Sequence, residues 1–160
     1  MALDMYLQLN DGKDYPGDAT AKGFENWIEV QAFSWGVEAE SSFLKGGGAS
    51  VGKPQPSEIT IAKPVDRASA RLLALIGRGL SVPKGVLVIG PAGRAGGAGS
   101  LRFTFENMFV TKIDLSASDG DGGVSESVSF VFKKITEAYT PTSGKDAVAT
   151  TWDIAAGKIN

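Results

Sequence analysis

Apolar side chains recur at every second position through most of this chain, which is the period of a half-buried β-strand. Glycine makes up 21 of the 160 residues, roughly twice its average share of about 7%, and it is concentrated between the alternating segments. The pattern predicts β-strands joined by glycine-rich loops. In the first strand the apolar face consists of Leu3, Met5, Leu7 and Leu9.

Later segments extend the same pattern. We expect Ile59 and Ile61 to point inward from one strand, and the continuous apolar run at residues 86–89 to form a strand that is buried on both faces. The loops predicted between strands are residues 45–54, 90–99 and 118–123. A strand beginning after the last of these loops turns Val128, Phe130 and Phe132 inward, and a short strand at residues 151–154 closes the chain.

One segment changes its apolar face along its length, and another leaves the number of strands open. Between residues 27 and 38 the apolar positions change from even to odd numbers, which favours a β-bulge at residues 32–34 over a strand covered on both faces. The other segment forms either one long strand or two strands with a kink near Asn107. The apolar face predicted for it consists of Leu101, Phe103, Phe105, Phe109, Ile113 and Leu115.

One helix is predicted, at residues 68–76, with Asp66 as its cap and Gly77 or Gly79 at its end. Its buried stripe would be Ala68, Leu72, Leu75 and Ile76. The total is about eight strands and one short helix in a single domain spanning residues 1–160. A closed or nearly closed antiparallel β-barrel is the fold we expect, because closure removes exposed strand edges.

The composition excludes several classes of protein. The chain has no histidine and no cysteine, so Ser-His and Cys-His nucleophiles, zinc fingers and disulfides are ruled out. A net charge of −2 gives no basic surface for nucleic acid. The apolar runs are too short to cross a membrane, and the first residues do not have the layout of a cleavable signal peptide. We expect no enzyme activity, no cofactor and no metal.

Two short motifs lie in the first glycine-rich loop, and each lacks part of its chemistry. Gly47, Gly52 and Lys53 have the spacing of a phosphate-binding loop, but Pro54 stands where a magnesium-binding Ser or Thr belongs, and no helix follows. Residues 42–45 match a Ser-x-x-Lys pattern without its companion motifs. Both patterns therefore predict a loop without catalytic function.

Three further patterns also favour structural roles. Ser34 half-matches a nucleophile elbow, but the chain has no histidine to accept its proton. Asp119, Asp121 and Glu126 fail the calcium-loop pattern, so residues 118–123 are predicted as a hairpin turn. The three tryptophans are expected in the core or in subunit contacts rather than stacked on sugars. They are Trp27, Trp35 and Trp152.

Taken in order, these segments resemble the Hcp family, the haemolysin-coregulated tube proteins of bacterial type VI secretion systems. The similarity extends over nearly the whole chain, and its parts are moderately specific in their order and spacing. They are the start Met-Ala-x-Asp-Met-Tyr-Leu, Ser34-Trp35-Gly36, the glycine-rich loop at 45–53, residues 59–66 before the helix, residues 125–135, Tyr139-Thr140-Pro141 and Trp152-Asp153-Ile154. The glycine- and alanine-rich residues 90–99 depart from the family pattern.

The resemblance implies a homohexameric ring with a wide channel. Rings would stack into a tube that a contractile sheath expels, capped by a VgrG-type spike and able to carry small effectors. The protein would be made in the bacterial cytoplasm and secreted without membrane insertion. The family's extended loop, which reaches the neighbouring ring, would here comprise Ser42, Phe43, Leu44, Lys45, Gly46, Gly47, Gly48, Ala49, Ser50, Val51, Gly52 and Lys53.

Two other functions are compatible with the residues alone. A monomeric secreted β-sandwich could bind carbohydrate or another surface ligand through exposed tryptophans. A small hydrolase could work with carboxylates such as Asp4, Asp153 or Glu126, since carboxylate pairs need no histidine. Monomeric behaviour would favour the β-sandwich, whereas a ring of fixed size would not.

Overall fold

The computed structural model describes residues 2–41, 52–120 and 122–160. These residues form a mainly β, antiparallel fold with one α-helix, as predicted. The elements are β1 (Leu3–Leu9), a 3-10 turn (Asn10–Gly12), β2 (Ile28–Val30), β3 (Ala32–Ser34), β4 (Val37–Glu38), β5 (Gln55–Pro56), β6 (Ile59–Pro64), α1 (Ser69–Arg78), β7 (Ser81–Pro91), β8 (Leu101–Ser118), β9 (Gly123–Val131), β10 (Lys134–Tyr139), β11 (Val148–Asp153) and β12 (Lys158–Ile159).

The strands are more numerous than the eight predicted, because one predicted strand is divided and three others were missed. The segment at residues 27–38 is split into β2, β3 and β4, and β5, β10 and β12 were not predicted as separate strands. The second predicted loop is also shorter than expected, since β7 continues through Gly90 to Pro91 before the chain turns back into β8.

A ten-stranded antiparallel sheet organises the molecule around β8, which is 18 residues long. The first half of β8 pairs with β7 on one side and β10 on the other, and its second half pairs with β9. From β7 the sheet continues to β1 and β2, and from β9 it continues to β6 and β3. Beyond β10 lie β11 and β12. A separate ribbon is formed by β4 and β5.

The sheet does not close into the predicted barrel. β2 pairs with β1 and β3 pairs with β6, and the chain bends between them at Gln31. The backbone N–H of Gln31 donates to the carbonyl of Ala62 at 2.7 Å, which connects the bend to β6 without a ladder between β2 and β6. The change of apolar parity in this segment therefore reflects a change of partner strand at Gln31, one position before the predicted bulge.

The apolar face of β8 changes sides at Asn107. This residue has a left-handed backbone (φ 55°), so the buried positions move from Phe103 and Phe105 to Met108 and Val110. The prediction that Phe109 lies on the same face as Phe105 was therefore wrong. A bulge between Val110 and Lys112 returns the odd positions to the core side, and Ile113 packs against the core.

Helix α1 packs its predicted apolar stripe against the sheet. Leu72 and Leu75 are buried, and so is Ala68, which immediately precedes the first helical residue. The helix ends at Arg78, followed by Gly79 in a left-handed conformation (φ 64°) whose N–H donates to the carbonyls of Ile76 and Leu75. Asp66 was predicted as the cap, but the cap position is held by Ala68, which makes no side-chain capping hydrogen bond. Asp66 lies two residues earlier, where its Oδ1 accepts the N–H of Ala68 at 2.9 Å.

The core lies between the sheet and α1. Cleanly alternating segments behave as the sequence predicts, because Leu7 and Leu9 of β1, together with the inward residues of β6 and β9, are buried. The run at the centre of β7 is covered on both faces from Val86 to Val88. Leu3, which was predicted to face inward, is exposed at the end of β1 that lies near the start of β8, and Leu115 is exposed near the far end of β8.

Candidate assembly surfaces

The predicted ring-stacking loop is described only at its end. Residues 42–51 lie outside the described residues, whereas Gly52 and Lys53 are placed. The N–H of Gly52 donates to the carbonyl of Glu40 at 2.6 Å, just beyond the β4–β5 ribbon. The chain therefore leaves and re-enters the fold at one place. An open cavity of about 720 Å³ lies along this ribbon and is lined in part by Glu38, Glu40 and Lys53.

A second surface is an open apolar groove of about 350 Å³, which we call the tryptophan groove. Trp35 forms one wall and packs its ring on Phe103 and Phe132. Trp152 of β11 stands opposite Ile135 of β10 and, on its other side, Ile159 of β12. The lining consists of Trp35, Val37, Pro54, Ile135, Glu137, Thr150, Trp152, Gly157 and Ile159.

Part of the apolar lining of the groove is exposed to solvent. Ile159 is 68% exposed, and all three tryptophans, including Trp27, are half-buried rather than fully buried. The indole N–H of Trp35 is buried without a hydrogen-bond partner in the described part of the chain. This surface therefore has the character of a docking site, because apolar patches of this kind on a folded protein mark contact surfaces.

A third surface is the outer end of the β8–β9 hairpin, which we call the hairpin end. Its residues continue the core-facing side of the two strands: Ile113 pairs with the buried Val128, and the next positions outward on the same face are Leu115, Ala117 and Val124. Leu115 is 62% exposed and Val124 is 51% exposed. The apolar face that these two strands turn toward the core thus extends beyond the core, where its side chains are exposed.

Between the core and the hairpin end lies a buried charge cluster. Lys63 Nζ is 2.7 Å from Glu126 Oε1 and 2.9 Å from Asp66 Oδ1, with all three side chains at most 3% exposed. Lys63 also donates to the carbonyl of Pro64 and to Ser69 Oγ, and Ser69 Oγ donates to Glu126. The cluster joins the first residue of α1 to β6 and β9.

The carboxylates considered for hydrolysis are engaged separately. Asp4 Oδ2 accepts the N–H of Gly93 at 2.8 Å, and Asp153 Oδ1 accepts the N–H of Ala156 at 2.9 Å. Glu126 is held by Lys63. The strand registers also separate them along the sheet: Asp4 pairs with Gly90 of β7, Asp153 with Lys134 of β10 and Glu126 with Leu115 of β8. The three carboxylates therefore lie at different levels of the sheet and do not form the close pair that carboxylate hydrolases use.

The described residues of the calcium and nucleophile patterns do not form a site. Glu126 faces the buried cluster, Asp119 is exposed at the hairpin turn, and Asp121 lies outside the described residues. Ser34 is an exposed residue of β3. Over residues 2–41, 52–120 and 122–160 no three acidic side chains come close enough to hold a metal ion, and none of the helices there has the length and apolar character needed to span a membrane.

Sequence reasoning missed the tryptophan groove, the hairpin end and the buried charge cluster, although the hairpin end and the cluster left signals. Lys63 occupies an inward position of β6 after Ile59 and Ile61, and Glu126 occupies an inward position of β9 before Val128. A charge of each sign at core-facing positions of neighbouring strands predicts a buried pair. The groove left no such signal, because it is assembled from distant parts of the chain.

Similarity to known proteins agrees with this architecture. The family described as "Type VI secretion system effector, Hcp" matches residues 6–139. The crystal structure of Hcp1 from Salmonella typhimurium has a TM-score of 0.82 and 25% identity over 100% of both chains. A structure described as a type six secretion system protein has a TM-score of 0.86 and 25% identity, over 99% of this chain and 100% of the other.

A type VI secretion system effector from Yersinia pestis shares the fold at a TM-score of 0.77 and 21% identity, over 94% of this chain and 99% of the other. No curated protein matches the chain. The family match covers most of the sequence, and the solved structures match it from end to end. The chain belongs to the Hcp family of type VI secretion system proteins.

Proposed function

We propose that this protein is the tube subunit of a type VI secretion system and assembles into hexameric rings that stack end to end. The observation that carries the proposal is the Hcp family match over residues 6–139, together with a likeness to Hcp1 that covers the whole of both chains. A tube subunit acts through its surfaces, which is compatible with a chain that has neither histidine nor cysteine.

The exposed surfaces support self-association. The tryptophan groove and the hairpin end are different surfaces, so a contact between them would be head to tail. Contacts of that kind close into a ring where the rotation permits and build filaments where it does not. Their apolar character favours removal from water. The net charge of −2 keeps repulsion between stacked copies small.

Residues 42–53 are proposed to contact the next ring of the stack. Their composition supports this: glycines at positions 46–48 and 52 let two backbones approach closely. The β4–β5 ribbon and the bond between Gly52 and Glu40 anchor both ends of the segment at one place on the surface. If the segment is buried between rings, its amides will exchange more slowly with solvent in stacked tubes than in single rings.

In the assembled machine the expected partners are a VgrG-type spike at the tip, a contractile sheath around the tube, and small effectors in the channel. The subunit would be made in the bacterial cytoplasm and expelled with the tube to the extracellular space or into a target cell. Membership of the Hcp family supports these roles.

Native mass spectrometry of the purified chain tests the proposal, with negative-stain images as a second readout. We expect one dominant species with the mass of six 16.7 kDa chains and annular particles of uniform size. A protein that stays monomeric at high concentration would overturn the proposal. A monomer that binds oligosaccharides through Trp35 and Trp152 would favour the carbohydrate-binding alternative.

A further inference from the structure

We propose that the hairpin end of one copy docks into the tryptophan groove of a second copy. This inference rests on the proposed function, because it names the two surfaces through which copies of the chain would join. Both surfaces are described above, and each is apolar and uncovered in the described chain. Leu115 is 62% exposed on the hairpin end, and Ile159 is 68% exposed at the groove.

The hairpin end cannot reach the tryptophan groove of its own chain. Ile135 of the groove is the partner of Phe105 on β8, whereas Leu115 lies ten residues further along the same strand. At about 3.3 Å per residue, an extended strand places these positions about 30 Å apart. A hairpin end that fills a tryptophan groove must therefore belong to another copy of the chain.

The hairpin end and the tryptophan groove are both apolar, and their shapes are complementary. The hairpin end presents Leu115, Ala117 and Val124 from two paired strands, which makes it a narrow projection with one apolar face. The groove is open, concave and walled by Trp35 and Trp152. Tryptophan is enriched among the few residues that carry most of the binding energy of protein interfaces, so Trp35 and Trp152 are the expected anchors of this contact.

Charges around the two surfaces are also complementary. Asp119 is exposed at the hairpin turn, and Lys158 and Lys53 stand next to the groove residues Ile159 and Pro54. None of these three charged groups has an ion pair within the described ranges. Glu137, the acid in the groove lining, has a possible counterpart in Lys112 of the hairpin, whose Nζ lies 3.5 Å from Asp114. Opposite charges at the rim select this partner and orientation.

Because the chain contains no cysteine, the contact can be tested by site-specific cross-linking. The test variant carries Leu115→Cys and Ile159→Cys, and the control carries Leu115→Cys and Leu73→Cys. Leu73 is as exposed as Leu115, at 62%, but lies on α1. Mild oxidation and a short bis-maleimide are applied to each variant, since a disulfide needs Cα atoms within about 7 Å.

We expect a ladder of covalent oligomers from the test variant and only background dimers from the control. A test variant that assembles into particles of wild-type size but cross-links no better than the control would overturn the docking proposal and leave the ring intact. A wild-type chain that does not assemble at all would overturn the proposed function. The two failures are therefore distinguishable.

Charge exchange gives a second, independent readout. Asp119→Lys and Lys158→Glu should each weaken association by about tenfold or more if the contact is near a hot spot, and the double exchange should restore most of the loss. Leu115→Asp should weaken association without unfolding the chain, because Leu115 is largely exposed. Equal association of all these variants and the wild type would contradict the proposal.

Discussion

Lys63 Nζ lies 2.7 Å from Glu126 Oε1, with the two side chains 0% and 2% exposed. The residues are direct partners across β6 and β9, so the strand register itself brings the charges together. Asp66 and Ser69 complete the cluster from the turn before α1 and from its first residue. Removing charges from water is unfavourable, and this cluster recovers that loss only while every member is present.

Replacing the lysine should therefore be far more harmful than its size suggests. Lys63→Met keeps the length of the side chain and leaves Glu126 and Asp66 as buried charges without a cation. We expect the free energy of unfolding to fall by about 3–5 kcal/mol, the range for breaking a buried ion pair from one side. Urea unfolding followed by tryptophan fluorescence measures the change, at one protomer concentration because association adds stability.

Lys134→Met is the matched control. Lys134 Nζ lies 3.4 Å from Glu106 Oε2, but these side chains are 39% and 48% exposed. Exposed pairs contribute at most about 1 kcal/mol, so this variant should unfold close to the wild type. The double variant Lys63→Met with Glu126→Gln should recover part of the stability lost by Lys63→Met alone. If Lys63→Met and Lys134→Met are equally stable, the cluster has no special role.

The left-handed residue in β8 gives a second prediction. Asn107 has φ 55°, a region that asparagine and glycine tolerate and β-branched residues do not. Asn107→Val should reduce the free energy of unfolding by about 1–2 kcal/mol, whereas Asn107→Gly should leave it nearly unchanged. Thermal unfolding of the two variants measures the difference. Equal melting temperatures would show that Asn107 does not need this conformation.

The same residue shows where sequence reasoning reaches its limit. Alternation alone predicts β6 correctly over its whole length, and it predicts the buried inner ends of β1 and β9, at Leu7 and Leu9 and at Val128 and Phe130. In β8 the face changes at Asn107 and changes back at the bulge after Val110. Either event moves every later side chain to the opposite face. An asparagine in a strand does not by itself reveal a left-handed backbone, so Phe109 was assigned to the wrong face.

The candidate surfaces were predictable to different degrees. The hairpin end follows from the pattern, since apolar residues at positions 113, 115 and 117 stop just before a glycine-rich turn. The tryptophan groove combines Trp35, Pro54, Ile135 and Trp152, which come from four separate parts of the chain. Their meeting depends on β10 and β11 pairing beside β8. No local period of the sequence contains that long-range pairing.

Substitution by alanine is expected to change stability in opposite directions at Gly17 and Gly77. A Cβ on Gly17 would meet the backbone carbonyl of Trp27 and lie 2.6 Å from Ile28 Cα, and a backbone atom cannot move aside as a flexible side chain can. A Cβ on Gly77 meets nothing within 4 Å, and this residue lies inside α1. Gly17→Ala should destabilise the fold strongly, whereas Gly77→Ala should stabilise it by about 0.5–1 kcal/mol.

Denaturant unfolding of both alanine variants under the same conditions tests this pair. The expected midpoints lie on opposite sides of the wild-type value. A Gly17→Ala variant with the wild-type midpoint would mean that β2 and the segment before it are not packed backbone to backbone. A Gly77→Ala variant that is less stable than the wild type would mean that this position of α1 requires glycine for another reason.

The pH dependence of stability should include a contribution from Tyr6. Its ring is 8% exposed and stacks on Phe24, with ring centroids 4.5 Å apart. Burial, followed by the nearby charges of Asp4 and Glu29, raises the pKa of Tyr6 above its usual 10.0. Above pH 10 the unfolded chain therefore loses the phenolic proton before the folded chain does. This contribution to stability is fully present below pH 10 and declines as the pH rises further.

Tyr6→Phe removes the ionisable group and keeps the stacked ring, so its stability should fall less steeply between pH 10 and pH 11 than that of the wild type. Urea midpoints measured across this interval give the two slopes. Tyr15→Phe is the control, because it removes one tyrosine from the chain without altering Tyr6. If Tyr6→Phe and the wild type lose stability in parallel, the phenol of Tyr6 ionises alike in the folded and unfolded chains.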